Sequence, residues 1–185
     1  MPQDAPFDPG GFYQFDLSNG EVRSRGGHRV LMLSEAALAP LINTAVQNGD
    51  LTAVRTLGTQ LGKLIAAGLP GPADEVATSI VLGHAAGVLA LYGWGRLELE
   101  RWGDALVLTV HGMPPLDENN LAVAALLGGL FSRLVVTEVA CVPLANSNCY
   151  LMVEPSIAEQ VWSWARDGQA LPAIIGRLGA VEARV

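Results

Sequence analysis

The residues best suited to chemistry lie in one run, Thr137 to Cys149, TEVACVPLANSNC. It holds both cysteines of the chain, with seven residues between them and Glu138 three positions before the first. Read as a hairpin centred on Ala145, the run sets Cys141 opposite Cys149, with both thiols on one side of the sheet. Opposed thiolates are good soft ligands for zinc. Glu138 falls on the other face of a regular strand and joins them only through a bulge or a late strand start. The competing reading makes both cysteines small apolar residues of a sheet core, a common place for cysteine. Residue types and spacing leave both readings open.

A second set is aromatic and imidazole. His84 sits on the apolar stripe expected for a helix ending near Leu91. A lone histidine there is either a hydrogen-bonded core residue or a polar contact inside an apolar pocket. Tyr92, Trp94 and Trp102 flank the strand that follows, where aromatics fill core or line a pocket. Trp162 and Trp164 lie two apart on a predicted helix and cannot share one face. His28, His84 and His111 make no close metal motif. Gly26-Gly27 and Gly93-Trp94-Gly95 lack the spacing of a nucleotide loop. There is no Gly-x-Ser-x-Gly elbow, and the carboxylates are scattered, so no catalytic constellation is expected.

The elements that must position these residues are legible from pattern. The chain has 185 residues, half of them apolar, 16% charged and a net charge of −7. Disorder is excluded as the general state, and one domain of residues 11–185 behind a flexible tail, 1–10, is expected. Lys63 is the only lysine and no basic cluster occurs, which argues against a nucleic-acid or polybasic membrane partner. The N-terminus has no signal-peptide core, so a cytoplasmic location and reduced thiols are expected. Val76 to Gly95 is uncharged and long enough for a bilayer. Its Thr78, Ser79, His84 and glycines, and the strand pattern after it, favour a buried helix over a membrane span.

GFYQFDLSNGEV reads as a hairpin turning at Ser18-Asn19-Gly20. A short apolar strand ending at Leu33 precedes Ser34, an N-cap for a helix over 35–47. Asp50 caps a second helix with a stripe at Leu51, Val54, Leu57, Leu61, Leu64 and Ile65. A third covers 73–91 after the Leu69–Pro72 break, with a stripe at Val76, Ile80, His84, Val88 and Leu91. Leu97 and Leu99, then Leu106, Leu108 and Val110, alternate as a hairpin turning at Gly103-Asp104. Residues 117–134 form a helix whose Gly128-Gly129 implies a close backbone. Strands over 135–142 and 148–154 and helices over 155–166 and 171–178 complete an α+β chain, a twisted antiparallel sheet of hairpins packed against a helical layer.

Several segments together resemble the 4-vinyl-reductase-like, hydrocarbon-binding domain, of the superfamily of ligand-binding domains in nitric-oxide signalling and Golgi transport. They are FYQFDLSNGEV, HRVLMLS, LGTQLGKLIA, LYGWGRLELE and, most distinctive, LLGGLFSRLVVTEVACVPLANSNCYLMV, over roughly residues 11–155. In the phenol-sensing activators that carry this domain, zinc is held by Glu-x-x-Cys-x7-Cys and one earlier cysteine. The resemblance therefore implies Glu138, Cys141 and Cys149 as metal ligands and a structural zinc cofactor. The earlier cysteine is absent, leaving His111, Asp117, Asn119, Asn120 or water for the fourth position, and Ala145-Asn146 stands where the family has Gly-Asp. The resemblance also implies a pocket lined by His84, Tyr92, Trp94 and Trp102 and a small hydrophobic molecule as partner. A non-enzymatic small-molecule sensor follows, with output through a homodimer or a protein partner. The alternative is a scaffold module like the TRAPP subunits. A reductase comes last, because nothing here supplies a hydride.

Overall fold

The computed structural model describes residues 10–103, 105–144 and 147–182. Residues 1–9 of the predicted tail, Asp104 of the predicted turn and the hairpin centre Ala145-Asn146 lie outside the described residues. Two strands, β1 (Tyr13–Asp16) and β2 (Glu21–Ser24), form a ribbon, followed by the helices α1 (Glu35–Gln47), α2 (Thr52–Ala67) and α3 (Thr78–Leu91). The strands β3 (Arg96–Trp102) and β4 (Ala105–His111) make a hairpin, then comes α4 (Leu121–Leu134). A second hairpin, β5 (Ala140–Pro143) and β6 (Cys149–Val153), leads to α5 (Pro155–Arg166) and α6 (Leu171–Glu182). The main sheet is antiparallel in the order β3-β4-β6-β5, giving the expected α+β architecture.

Local signals act where they were read. Ser34 Oγ accepts from the Ala37 N–H at 3.3 Å and starts α1. Asp50 Oδ1 accepts from Thr52 N–H at 3.0 Å at the head of α2. Asp117 caps α4 from outside, accepting from Leu121 and Ala122 N–H, both at 2.9 Å. Asn120 between them is left-handed (φ 57°), a conformation asparagine tolerates, so α4 begins four residues later than its pattern suggests.

The helical layer is built on α2 against α4. Val54, Gly58, Leu61, Gly62 and Ile65 form the buried stripe of α2, whereas Leu57, which the pattern places inside, is exposed. A Cβ on Gly58 would lie 1.9 Å from Leu126 O, and one on Gly129 would lie 2.1 Å from Arg55 O. The two helices therefore touch backbone to backbone, and the glycines read as a sign of close approach serve that purpose. In α3 the buried side chains are Val81, Ala85, Val88 and Leu89, and Ile80 is exposed. The predicted stripe is thus rotated. This helix is apolar nearly all round, so its sequence does not select a face.

The sheet divides the core. On one face Leu97, Leu108, Val110, Cys141 and Tyr150 pack with the α2, α3 and α4 side chains. On the other, Val107, Val142, Leu151 and Val153 pack with Val161, Ala165 and Ile174 of α5 and α6. The sequence reading foresees one helical layer; α5 and α6 add a second. No helix among the described residues is long and apolar enough to cross a membrane.

Gly58→Ala should lower unfolding stability by about 3 kcal/mol or more, because the obstacle is a backbone carbonyl rather than a yielding side chain. Gly83→Ala, at an exposed α3 position with nothing near its Cβ, should instead add roughly 0.5–1 kcal/mol. Urea denaturation of the two variants checks both signs.

Candidate functional site

The β5–β6 register decides the fate of the two thiols. Cys141 pairs with Met152, Val142 with Leu151 and Pro143 with Tyr150, and Leu144 N–H donates to Cys149 O at 2.9 Å. The pair is centred beyond Ala145, so Cys141 and Cys149 are not opposite one another. Cross-strand partners share a face and neighbours along a strand alternate. Cys141 accordingly lies with Met152 and Tyr150 on the α2–α4 side, and Cys149 lies with Leu151 and Val153 on the α5–α6 side. This corrects the facing-thiol arrangement expected from spacing.

The correction has a local origin. Residues 135–139, read as strand, are irregular; Val136 adopts φ 60°, strained for a β-branched residue. Ser132 Oγ lies 2.7 Å from Gly128 O and accepts from Val139 N–H at 3.0 Å, pinning the chain as it leaves α4. The strand then starts at Ala140 rather than 135.

Glu138 is also engaged elsewhere. Its carboxylate pairs with Arg55 at 2.5 Å and is exposed. Arg55 also donates to Ser132 Oγ (3.0 Å) and Val139 O (3.1 Å), tying α2 to the α4–β5 link. His111 sits 3.0 Å from Glu98 across β3–β4, and Asp117 caps α4. Among the described residues no group of three or more His, Cys, Asp or Glu is placed to hold a metal. The donor set implied for zinc does not fit this fold, because its two sulfurs are on opposite sides of a sheet. Burial pushes the Cys141 thiol up to about 12, with Arg55 opposing weakly, whereas Cys149 is half-buried and lies 3.4 Å from Thr109 Oγ1.

The four pocket residues separate as well. Tyr92 and Trp94 pack against the α2–α4 core. Tyr92 also meets Phe12 and Tyr13 edge-on, at 6.3 and 6.2 Å between ring centres, and Tyr13 Oη donates to Leu91 O at 3.0 Å. Gly95 (φ 97°) lets the chain turn from Trp94 into β3, since a Cβ there would meet His111 O at 2.6 Å. His84 is half-buried with its imidazole against the Gly68 backbone, and desolvation holds its pKa below the ordinary value. Trp102 does not join them: it ends β3 on the opposite sheet face, exposed, donating to Glu100 at 2.9 Å.

A group not singled out from the sequence lies inside the same core. Tyr150 is fully buried, and its hydroxyl donates to Met113 Sδ at 2.7 Å. A thioether is a weak acceptor, so this is a poorly satisfied donor in apolar surroundings. Burial drives the phenol pKa up, with Asp117 and the two thiols adding to the effect. Its signal was present: a polar-tipped tyrosine at a strand position facing the core. On the other side of the sheet, a hollow of about 550 Å³ is lined by Asn119, Asn120, Asn148, Trp162 and Arg166 among others. Trp164 faces elsewhere, under the Arg177 guanidinium at 5.2 Å.

No family model and no curated protein matches this sequence. Among solved structures, the fold is similar to the crystal structure of the phenol-responsive sensory domain of the transcription activator PoxR with phenol. The TM-score is 0.55, over 76% of this chain and 83% of that one, at 12% identity. The chain shares the fold of that domain over most of its length. At that identity the likeness is one of fold alone.

Two outcomes follow from the placement of these groups. In a thiol titration of the native protein, Cys149 should react and Cys141 should stay protected until denaturant is added, with chelator changing neither. Release of both thiols by chelator would require another hairpin register. For His84 the folded pKa is the lower one, so the unfolded state binds its proton first. Stability should therefore drop as pH falls below about 6.5. His84→Gln should remove that part of the slope in thermal melts taken between pH 7 and 5.

Proposed function

We propose that this protein is a small-molecule sensor that carries out no reaction of its own. Its ligand is a small apolar molecule bearing one hydroxyl, held between the α2–α4 layer and the sheet beside Tyr150 and Met113. The likeness of fold, over most of both chains, to a sensory domain solved with phenol carries this reading. The Tyr150 hydroxyl supports the location. It is a buried donor with only sulfur to bond, and a ligand oxygen is a better acceptor than a thioether. Met113 lies between β4 and α4, and its unbranched side chain can swing aside at small cost. His84, Tyr92 and Trp94 belong to the same helical side of the sheet and supply the polar and aromatic remainder of the wall.

Arg55 braces this wall through Glu138, Ser132 and Val139 without a metal. Trp102 is left out of the pocket by its position on the other face.

Phenol and alkylphenols should raise the melting temperature of the protein more than toluene of matched size. Tyr150→Phe should weaken phenol binding by about tenfold, the loss of one hydrogen bond, and leave toluene binding unchanged. The same variant should cost little stability, since the hydroxyl it removes bonds only to sulfur. Absence of any shift across a wide panel of apolar ligands would remove the sensor reading.

A further inference from the structure

The hollow of about 550 Å³ across the sheet from Tyr150 is lined by three elements. Helix α5 gives Trp162 and Arg166, which lie four apart and so share one face. The loop ahead of α4 gives Glu118 and Asn120, and the start of β6 gives Asn148. Trp162 is half-buried and packs on the α5–α6 core, whereas Arg166 and Glu118 are exposed. Among the described residues these two charged side chains enter no ion pair, with each other or with any other group. The asparagines are each half engaged. Asn120 Nδ2 donates to Ser147 O at 3.4 Å, and Asn148 Nδ2 donates to Val110 O at 3.0 Å. Those carbonyl partners fix the orientation of both amides and leave the two Oδ1 atoms as acceptors for a guest. The head of α4 is not an anion seat, because Asp117 already accepts from Leu121 and Ala122 N–H. The hollow therefore offers a cation beside an indole on its α5 side and a group of acceptors elsewhere.

We propose that this hollow is a second ligand site, for a small aromatic carboxylate with a hydroxyl or amino donor at the far end of its ring. The ring lies on the Trp162 indole, and the carboxylate takes two parallel N–H bonds from the Arg166 guanidinium. Neighbours on a helix face stand about 5–6 Å apart, which suits a stacked ring whose carboxylate is gripped one turn along. The ring donor is then met by the Glu118 carboxylate and the Oδ1 atoms of Asn120 and Asn148. A simple amino acid fits less well, because its opposite charges sit on adjacent atoms, whereas Arg166 and Glu118 are too far apart to pair. An aromatic dicarboxylate sets its second anion against Glu118. The volume falls within the roughly 300–1,000 Å³ of small-molecule sites. The site stands on the opposite face of the sheet from Tyr150 and does not rest on the sensor reading.

Calorimetric titration of the full chain at low salt tests this with 4-hydroxybenzoate, benzoate, cyclohexanecarboxylate and terephthalate. The hydroxy acid should bind tightest, one per chain, and terephthalate weakest. Arg166→Gln should raise the dissociation constant for 4-hydroxybenzoate by about tenfold or more, the loss of a charge-assisted pair. Arg166→Lys, which keeps the charge without the fork, should recover only part of it. Glu118→Gln should weaken the hydroxy acid and admit terephthalate. Trp162→Leu should abolish the preference for benzoate over cyclohexanecarboxylate. Arg166 and Glu118 are exposed, so their variants should keep the unmodified melting temperature. Saturating phenol should leave 4-hydroxybenzoate binding unchanged. Acid binding in a protein that ignores phenol would still support this site and would count only against the sensor reading. No binding of any of these acids at millimolar concentration would overturn the proposal. So would binding that Arg166→Gln leaves intact, or that phenol displaces and Tyr150→Phe weakens, since the acid would then be seated in the helical core.

Discussion

The structure depends on the approach of α2 to α4. Gly58 and Gly62 on one helix and Gly128 and Gly129 on the other remove the side chains that would hold the axes apart. With them in place, Leu126 and Leu130 are fully buried and Arg55 reaches past the α4 backbone to Val139. Glycine weakens an isolated helix by about 1 kcal/mol per residue. Four of them at one seam make sense only if packing returns more, and close-packed backbones and leucines are how it does so.

That seam also sets the chain's course into the sheet. Gly128 leaves room for the Arg55 guanidinium, which lies beside Ser132 and Val139. Ser132 in turn holds Val139, and the strand begins at Ala140. From there β5 pairs with β6 in a register that sets Cys141 opposite Met152. It places one thiol on each side of the sheet and gives the inward position on β6 to Tyr150. Because the strand period is two, a shift by an odd number of residues exchanges faces completely.

The helical side of the sheet is apolar with a few polar tips: Tyr150 against sulfur, His84 held neutral against the α2 terminus, Tyr92 among the aromatics of the ribbon. A core that admits a guest must be ordered enough to have a shape and soft enough to open. Methionine at the contact with the buried phenol suits the second requirement, and the glycine seam suits the first. The ribbon meets this side of the sheet through Tyr13, whose ring packs on Tyr92 and whose hydroxyl donates to Leu91 O, while Phe15 and Leu17 stay exposed.

Much of the architecture follows from the sequence alone. The Ser34 cap, the Leu69–Pro72 break, the Pro155 start and the alternation of Leu97, Leu99, Leu106 and Leu108 are local, and local forces act on neighbours in the chain. The same holds for the α+β order of elements and for the meaning of paired glycines. What sequence did not determine is which residues meet. Helix α3 is apolar on every side, so only its neighbours chose Val81, Ala85, Val88 and Leu89 for burial. Glu138, Cys141 and Cys149 have a spacing that matches a metal clip, yet the β5–β6 register sets Cys141 opposite Met152 and parts the thiols. Tyr150 gained its partner from a loop 37 residues away. Spacing along a chain is a local property, whereas register and face are settled by the layers that pack on the sheet.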